Sequence, residues 1–389
     1  MHSPLGHARS LFLKRPVHLT FFVTRRCNAG CGFCFYAQAR DAEGAEPELA
    51  LDEIRRVAAS MGPLLWVLFS GGEPFLREDL VEIGGAFHDA NRACFLTYPT
   101  NGLLPDLVVE RTEQILRRCE GSVVVVKLSL DGVGERHDAL RGVPGAFARV
   151  METYRGLSRL AVRYPRLELG VNTVFGPETA RHVEELVGFV HGLEGIRAHT
   201  LTLLRRPDGG PSPEVDLRAY RRASLLLESR WRSRRQRFHR FAGARLKAAQ
   251  DRLQRRLIHR TLVERRRVIP CFAGRLGLVL TEAGRLHPCE SRWDRSFGNV
   301  REAGHDVARL LRSERGRAVV DEIARGSCHC SHECNFLTNI LFNPALHPAL
   351  LRECVRRGRR RAGERDEADR DERERRPTRP WETALQGWR

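Results

Sequence analysis

The sequence predicts an α/β protein, a partial (β/α)6 barrel of the TIM type followed by a small cysteine-rich C-terminal domain. Three observations support this prediction. Short apolar segments alternate with amphipathic ones over the first two hundred residues, polar or glycine-rich clusters follow these apolar segments directly, and a separate group of cysteines begins after residue 270. We expect four regions: the barrel at 15–215, a basic helical segment at 216–269, the cysteine-rich domain at 270–354 and a charged, disordered tail at 355–389.

Six strands are predicted, because six runs are rich in Val, Leu, Phe and Thr and too short for buried helices. They are His18–Val23, Leu64–Phe69, Ala93–Tyr98, Val123–Leu130, Leu167–Val174 and His199–Leu204. Helical patterns lie between them, including Ala146–Tyr164 and Glu178–Gly192. Repeated β-then-α units imply a parallel sheet, which right-handed crossovers curl into a barrel or part of one.

Polar and glycine-rich clusters stand directly after five of the predicted strands. In chain order they read "TRRCNAGC", "SGGEP", "TNG", "DG" and "NTV". In barrels of this type, the loops at the C-terminal ends of the strands converge on one face and carry the chemistry. The sequence therefore predicts a composite active site on that face.

Composition limits the other possibilities. No apolar run in the 389 residues approaches the ~20 residues of a membrane span, and the first residues lack the pattern of a signal peptide, so we expect a soluble, cytoplasmic protein. The net charge of +18 is concentrated in 217–268, where 18 Arg/Lys face 3 Asp/Glu. Two interpretations of this segment stay open: a patch for an anionic partner such as RNA, lipid or an acidic peptide, or a solvated helical hairpin.

Eleven cysteines without a secretion signal indicate metal or redox chemistry rather than a disulfide framework. Cys27, Cys31 and Cys34 form a tight first group. Structural zinc and most iron–sulfur clusters take four protein ligands, so three cysteines suggest a site left open for another ligand.

The stretch "CNAGCGFC" is a CxxxCxxC motif with Phe33 before its last cysteine. With "GGEP", "TNG" and "SLDG" at successive strand ends, it resembles the radical S-adenosylmethionine (radical SAM) superfamily over roughly residues 15–205. The resemblance implies that Cys27, Cys31 and Cys34 bind a [4Fe–4S] cluster whose fourth iron holds S-adenosylmethionine. Reductive cleavage then yields a 5′-deoxyadenosyl radical that abstracts hydrogen from a substrate. The implied partners are that substrate and an electron donor such as flavodoxin or ferredoxin. A zinc site with a distant fourth ligand is the alternative.

The resemblance also assigns six residues to S-adenosylmethionine: Gly71, Gly72, Glu73, Ser129, Arg141 and Asn172. The Gly-Gly-Glu segment would bind the amino group, and Arg141 the carboxylate through its planar fork. Asn172 would contact ribose or substrate. An ordinary strand-to-helix turn for the glycines and a strand-capping role for Asn172 stay open.

The second group of cysteines resembles the opening of the SPASM/twitch appendage, which carries auxiliary [4Fe–4S] clusters. Cys271 and Cys289 form CX12GX4C, a hairpin turning at Gly284, and "SCHCSHEC" follows. One auxiliary cluster is expected, since the upstream CxxC of the full pattern is missing. Its first-choice ligands are Cys271, Cys289, Cys330 and Cys334, with Cys328 as a replacement for Cys330. A zinc ribbon is the rival interpretation.

Three functional hypotheses follow. The first is a radical SAM enzyme that abstracts hydrogen from a peptide or protein substrate. The second is the same chemistry on a small molecule such as a sugar, lipid or antibiotic precursor. The third is a non-catalytic, metal-stabilised protein that binds nucleic acid through the basic segment; nucleic acid is the least expected partner because aromatic residues are sparse there.

Overall fold

The structure, a computed structural model, describes residues 15–37, 46–206, 210, 212–233, 241, 243–326 and 328–355. The predicted charged tail lies outside the described residues beyond position 355, as do residues 234–240 of the basic segment.

Within these residues, nine strands form one sheet in the order β6-β5-β4-β3-β2-β1-β7-β8-β9. The strands are β1 His18–Thr24, β2 Trp66–Gly71, β3 Phe95–Thr100, β4 Val123–Ser129, β5 Leu167–Phe175, β6 Ile196–Leu203, β7 Gly277–Leu280, β8 Arg285–His287 and β9 Gly298–Asn299. The first six strands and β7 pair in parallel, whereas β8 and β9 are antiparallel to their neighbours. Pairing of β7 with β1 joins the C-terminal part of the chain to the barrel sheet.

The helices lie mostly between consecutive strands, as the β-then-α pattern predicts. They are α1 Leu51–Ser60, α2 Leu80–Asn91, α3 Pro105–Arg118, α4 Glu135–Arg141, α5 Ala146–Arg163, α6 Pro177–Ala180, α7 Val183–Gly192, α8 Leu217–Ser233, α9 Ala244–Glu264, α10 Val307–Arg312, α11 Glu314–Arg325, α12 Glu333–Leu341 and α13 His347–Val355. Short 3-10 turns cover Pro74–Leu76, Val300–Ala303 and Pro344–Leu346.

The partial (β/α)6 barrel predicted from the sequence is confirmed, with local differences. All six predicted strands are present, but β2 and β3 begin two residues later than expected. The helix predicted at Glu178–Gly192 is two helices, α6 and α7, because the chain turns at Arg181 and His182.

Side chains alternate between two faces of the sheet, as a pleated strand requires. On β4, Val124, Val126 and Leu128 join the main core beneath the surrounding helices. The residues between them point to the inside of the barrel, where Val123 belongs to a second apolar cluster. The remaining buried members of this cluster are Val17, Leu65, Cys94, Phe95 and Leu276 at the N-terminal ends of the strands, and Phe342 just after α12. This cluster is the apolar floor of the barrel, so the open end lies at the strands' C-terminal ends.

The basic segment is part of the folded body rather than a solvated hairpin. Helix α9 buries Ala249, Leu257 and Ile258, and it packs against α12 and α13. Its buried Arg252 pairs with Glu353 at 3.3 Å. Several of the arginines counted in the net charge therefore form internal ion pairs. Among the described residues, no helix combines the length and apolar character needed to cross a membrane.

Candidate active site

The first cysteine group lies in the loop that follows β1, at the open end of the barrel. All three thiols are half-buried. The loop is held by backbone contacts: Cys34 N–H donates to the carbonyl of Cys31 at 3.2 Å, and Gly30 N–H donates to the carbonyl of Arg141 at 2.9 Å. Burial raises the pKa of the Cys27 thiol, and the nearby Glu73 carboxyl and the other two thiols raise it further.

Arg141, at the end of α4, reaches the cysteine loop through its side chain. Its Nη1 lies 3.6 Å from Sγ of Cys31 and donates a hydrogen bond to it. Nη2 forms an ion pair with Asp131 at 2.5 Å, and the guanidinium lies 5.5 Å from the centre of the Phe33 ring. Asp131 in turn accepts a hydrogen bond from Val174 N–H at 2.7 Å. The pair therefore connects the ends of β4 and β5 to the cysteine loop.

Asn101, in the loop after β3, makes a second contact to a cysteine sulfur. Its Nδ2 donates to Asn28 Oδ1 at 2.7 Å and lies 3.9 Å from Cys27 Sγ. Glu73 holds this loop in place, because its Oε2 accepts from Asn101 N–H at 2.7 Å while its Oε1 accepts from Phe75 N–H at 3.2 Å. Burial raises the pKa of Glu73 to about 7 even though these hydrogen bonds favour the carboxylate.

Gly71 and Gly72 are packed against the cysteine loop. A Cβ on Gly71 would lie 2.2 Å from the carbonyl oxygen of Thr24, and one on Gly72 2.2 Å from that of Arg26. Gly72 N–H and Glu73 N–H donate to those same carbonyls, each at 2.8 Å. The glycines are thus required by the close approach of two backbones, which fixes where the loop leaves β1.

Ser129 and Asn172 are register partners on β4 and β5 and both point into the barrel near the rim. Asn172 Oδ1 accepts a hydrogen bond from Thr202 Oγ1 at 2.8 Å. Both side chains are half-buried and so remain accessible from the open end. The residues predicted to bind S-adenosylmethionine thus gather around the cysteine loop, with Ser129 and Asn172 facing the interior.

His137 and Asp138 stabilise the loop after β4. His137 Nδ1 accepts from Asp131 N–H at 3.2 Å, and the two carboxylate oxygens of Asp138 accept from Gly145 N–H and Phe147 N–H. Burial lowers the pKa of His137 to about 3, so the ring is neutral and its Nδ1 is free to accept.

Four cysteines of the second group come together beside the β7–β8 hairpin, in which Gly284 has a positive φ of 87°. Burial raises the pKa of Cys289 well above its ordinary value, and the neighbouring thiols of Cys330, Cys271 and Cys328 raise it further. Burial, together with the thiols of Cys271 and Cys328, raises the pKa of Cys330 to about 12. Arg267 Nη2 donates to Cys328 Sγ at 3.0 Å.

Cys334 has a different environment from those four thiols. Burial raises its pKa, but the neighbouring imidazoles of His18 and His332 outweigh burial and lower the pKa to about 6. The thiols of Cys271 and Cys328 raise the pKa of both Cys289 and Cys330. Cys328 therefore lies near these thiols, which the spacing of "SCHCSHEC" could not reveal.

A buried ion network connects the barrel rim with the second cysteine group. Arg205, just after β6, pairs with Glu290 at 2.7 Å and with Glu333 at 2.8 Å. Glu290 follows Cys289 directly and also pairs with His332 at 3.1 Å. The Arg205 guanidinium lies 5.7 Å from the centre of the Phe35 ring, in the segment that follows the first cysteine group.

The first cysteine group suits an iron–sulfur cluster, because Arg141 and Asn101 donate hydrogen bonds to sulfurs of the kind that such a cluster accepts. In the part of the chain that the structure describes, no three His, Cys, Asp or Glu side chains converge closely enough to hold one ion. The first group offers three thiols and the second four.

Sequence reasoning missed several residues that the structure brings to the site. The sequence gives no sign that Asp131 is the partner of Arg141. The network of Arg205, Glu290 and Glu333 had no local sequence pattern that could reveal it. Lys127 did carry a visible signal, because it is the single charged residue in the apolar run "VVVVKLSL".

Comparison with known proteins agrees with this geometry. Residues 21–190 match the family described as the Radical SAM superfamily. Fe-coproporphyrin III synthase of Methanosarcina barkeri is 39% identical over 34% of this chain and 32% of its own length. The AdoMet-dependent heme synthase of the same organism is 31% identical over 53% and 56%. The PqqA peptide cyclase of Methylocella silvestris is 30% identical over 48% of each chain. The chain thus spans between about a third and just over half of these relatives' length.

A solved structure shares the fold over most of the chain. The structure titled native anSMEcpe with bound AdoMet superposes with a TM-score of 0.56, covers 88% of this chain and 100% of its own, and is 17% identical. At that identity the likeness concerns the fold. The superfamily uses a [4Fe–4S] cluster and S-adenosylmethionine, the group that the three-cysteine loop and its rim fit. Over residues 21–190, which are 170 of its 389 residues, this chain is thus similar to the Radical SAM superfamily.

Proposed function

We propose that this protein is a radical SAM enzyme that removes a hydrogen atom from an organic substrate inside its barrel. One observation gives the proposal its main support. Three thiols lie in a single loop at the open end of the barrel, and two of their sulfurs accept hydrogen bonds from Arg141 at the end of α4 and from Asn101 in the loop after β3. When bound there, a reduced [4Fe–4S] cluster with S-adenosylmethionine supplies a 5′-deoxyadenosyl radical, the hydrogen-abstracting species.

The chain's own residues would bind the cluster and orient it. Cys27, Cys31 and Cys34 are the proposed cluster ligands. Arg141 places a positive charge beside Cys31, which stabilises a thiolate ligand electrostatically. The apolar floor closes the barrel from below and excludes water from that side.

The proposed contacts to S-adenosylmethionine divide into two kinds. Gly71, Gly72 and Glu73 contribute through backbone shape, since both carboxylate oxygens of Glu73 already accept backbone N–H groups. Ser129 and Asn172 contribute polar side chains that point into the open interior. Arg141 is already paired with Asp131, so a carboxylate would have to share it with that residue.

For the second group we propose an auxiliary [4Fe–4S] cluster on Cys271, Cys289, Cys328 and Cys330. Their proximity supports this ligand set, because the thiol of Cys328 raises the pKa of Cys271, Cys289 and Cys330. Four thiolates would occupy all four irons, leaving no open position, in contrast to the first site. The buried ion network of Arg205, Glu290 and Glu333 lies between the two sites and would keep them in a fixed relation.

Two substrate classes have support. A peptide or protein substrate is favoured by the similarity to the PqqA peptide cyclase. A small molecule is favoured by the similarity to Fe-coproporphyrin III synthase and the AdoMet-dependent heme synthase. A role in binding nucleic acid has less support, because arginines of α9 such as Arg252 and Arg256 are paired with Glu353. Flavodoxin or ferredoxin is the proposed electron donor for either substrate.

The test is anaerobic reconstitution with iron and sulfide, followed by iron counting and product analysis after dithionite and S-adenosylmethionine are added. We expect about eight irons per chain, the content of two [4Fe–4S] clusters, and release of 5′-deoxyadenosine. The matched control is Cys27→Ala, which should remain folded, keep about four irons and release no 5′-deoxyadenosine. Retention of zinc without cleavage, or unfolding of Cys27→Ala, would count against an enzyme and favour a structural metal site.

A further inference from the structure

The interior of the barrel is accessible above its apolar floor. Along β4, the outward-facing Val126 and Leu128 are buried, whereas Lys127 and Ser129 on the inner face are only half-buried. Strands β2 and β6 show the same alternation near their C-terminal ends. Because alternate residues of a strand face opposite sides, this pattern indicates an open space inside the sheet rather than fraying of its edge.

Lys127 lies in this space, one inner position below Ser129 and therefore below the cysteine loop at the rim. Its Nζ donates a hydrogen bond to Thr200 Oγ1 at 3.3 Å. On the adjacent strand its register partner is Gly170, where a Cβ would lie 3.5 Å from Lys127 Cγ. Among the described residues, no carboxylate lies within ion-pairing distance of this ammonium group. Burial lowers the pKa of Lys127, and the nearby ammonium of Lys247 lowers it further.

Two carboxylates that raise the pKa of Lys127 are already paired with other cations. They are Asp251 on α9, which pairs with Lys247, and Glu333 on α12, which pairs with Arg205. Glu168, on the adjacent strand nearer the floor, has a partner of its own. Among the described residues, Lys127 therefore has no carboxylate of its own, and an anionic ligand would offset the cost of holding its charge in a partly desolvated space.

The choice of lysine at this position is itself unusual for this chain. Of its 66 lysines and arginines, only Lys14, Lys127 and Lys247 are lysine. Lysine presents a compact point charge with three donors, whereas arginine presents a wide planar fork. A single compact cation fits an anionic group that enters a confined space between strands.

We propose that Lys127 binds an anionic oxygen group of the substrate, a carboxylate or a phosphate, at the bottom of the barrel cavity. The proposal rests on the proposed function, since it takes this cavity as the substrate site. Binding there would place the remainder of the substrate between Lys127 and the cysteine loop, where a hydrogen atom is to be removed. Lys127 would thus select acidic substrates, whether acidic peptides or small organic acids and phosphates.

The first test is differential acetylation with sulfo-N-hydroxysuccinimidyl acetate, read by mass spectrometry at each of the three lysines. The reconstituted protein is labelled in sodium acetate, sodium phosphate or S-adenosylmethionine, each compared with sodium chloride at equal ionic strength. We expect acetate or phosphate to slow labelling of Lys127 about threefold at two-thirds occupancy, with Lys247 little changed. Protection by acetate indicates a carboxylate, and protection by phosphate indicates a phosphate.

Three outcomes would overturn the inference: no protection of Lys127 by either anion, equal protection of Lys127 and Lys247, or protection by S-adenosylmethionine alone. The last would make Lys127 part of the cofactor site. A second measurement uses Lys127→Met, with Lys247→Met as the matched control. The anion-specific rise in Tm over chloride should persist in Lys247→Met and disappear in Lys127→Met. Its persistence in Lys127→Met would also contradict the inference.

The labelling test and the test of the proposed function can fail separately. Release of 5′-deoxyadenosine is measured on the same wild-type preparation. Protection of Lys127 without release of 5′-deoxyadenosine would support the anion site and contradict the radical function. Release of 5′-deoxyadenosine without protection of Lys127 would support the radical function and contradict the anion site.

Discussion

At the scale of single residues, the pair Arg141–Asp131 couples the cysteine loop to the barrel. Both side chains are buried, and the guanidinium also donates to Cys31 Sγ. A buried pair of this kind contributes little net stability when intact, yet removing one partner leaves an uncompensated charge. The same contact places a hydrogen bond on a proposed cluster ligand, and such hydrogen bonds influence the reduction potential of an iron–sulfur cluster.

We therefore predict that Arg141→Met lowers the free energy of unfolding by about 3–5 kcal/mol, because Asp131 is left buried and unpaired. It should also lower the midpoint potential of the first cluster, since a positive hydrogen-bond donor near Cys31 favours the reduced state. Urea unfolding and an EPR-monitored redox titration measure the two effects. Arg149→Met, at an exposed position on α5, is the control. Equal decreases of the free energy of unfolding and of the midpoint potential in both variants would show that Arg141 has no special role.

A second prediction at this scale concerns acid stability. His199 on β6 is buried, its Nε2 contacts Thr173 Oγ1 at 2.9 Å, and burial lowers its pKa from 6.5 to about 3. Because the folded-state pKa lies below the unfolded one, the neutral ring's stabilisation is fully present above pH 6.5 and is lost as the pH falls towards 3. In that window the free energy of unfolding should fall less steeply with decreasing pH in His199→Gln than in the wild type, by about 1.4 kcal/mol per pH unit.

Urea unfolding at several pH values below neutrality measures the two slopes. His182→Gln, a substitution at a half-buried position before α7, controls for the loss of any histidine. A slope for His199→Gln that matches the wild type would show that the ring titrates normally in the folded protein.

At the scale of elements, local pattern located the strands and the rim loops, because both depend on short stretches of sequence. The order of apolar residues identified β1 to β6, and the polar clusters after them identified the loops that meet at the open end. The role of α9 was not predictable, because it depends on contacts with α12 and α13 more than sixty residues away. The same reason explains the missed pairs Arg141–Asp131 and Arg205–Glu290: no local pattern specifies which charges meet after folding.

The contact between the loops after β1 and β2 gives a prediction for an element. A Cβ on Gly72 would lie 2.2 Å from the carbonyl oxygen of Arg26, so Gly72→Ala must displace the backbone that leads into the cysteines. We expect a large loss of iron and of 5′-deoxyadenosine formation. Gly32→Ala is the matched control within the cysteine loop, because a Cβ there meets no atom within 4 Å. Normal iron content in Gly72→Ala would mean that the loop adapts and that the close approach is not required.

At the scale of the whole molecule, the C-terminal region is integrated with the barrel rather than attached beside it. Strand β7 extends the barrel sheet next to β1, and Tyr36, after the first cysteine group, hydrogen-bonds to Glu282 at the end of β7. Arg301 pairs with Glu53 of α1 at 2.7 Å. Changes at the second cysteine group should therefore be transmitted to the rim through packed contacts, even where the first group keeps its own ligands.

The choice between Cys328 and Cys334 tests this integration directly. Cys328 lies among the thiols of Cys271, Cys289 and Cys330, whereas Cys334 is held by His18 of β1 and by His332. We predict that Cys328→Ser loses about four of the irons bound by the reconstituted protein, while Cys334→Ser keeps them. Cys334→Ser should instead lower Tm, because the change weakens the interactions of this side chain with His332 and with His18 of β1. Iron counting and thermal unfolding of the two variants measure both effects. The reverse pattern of iron loss would assign Cys334 as the ligand and would mean that the His18 and His332 contacts rearrange when the cluster binds.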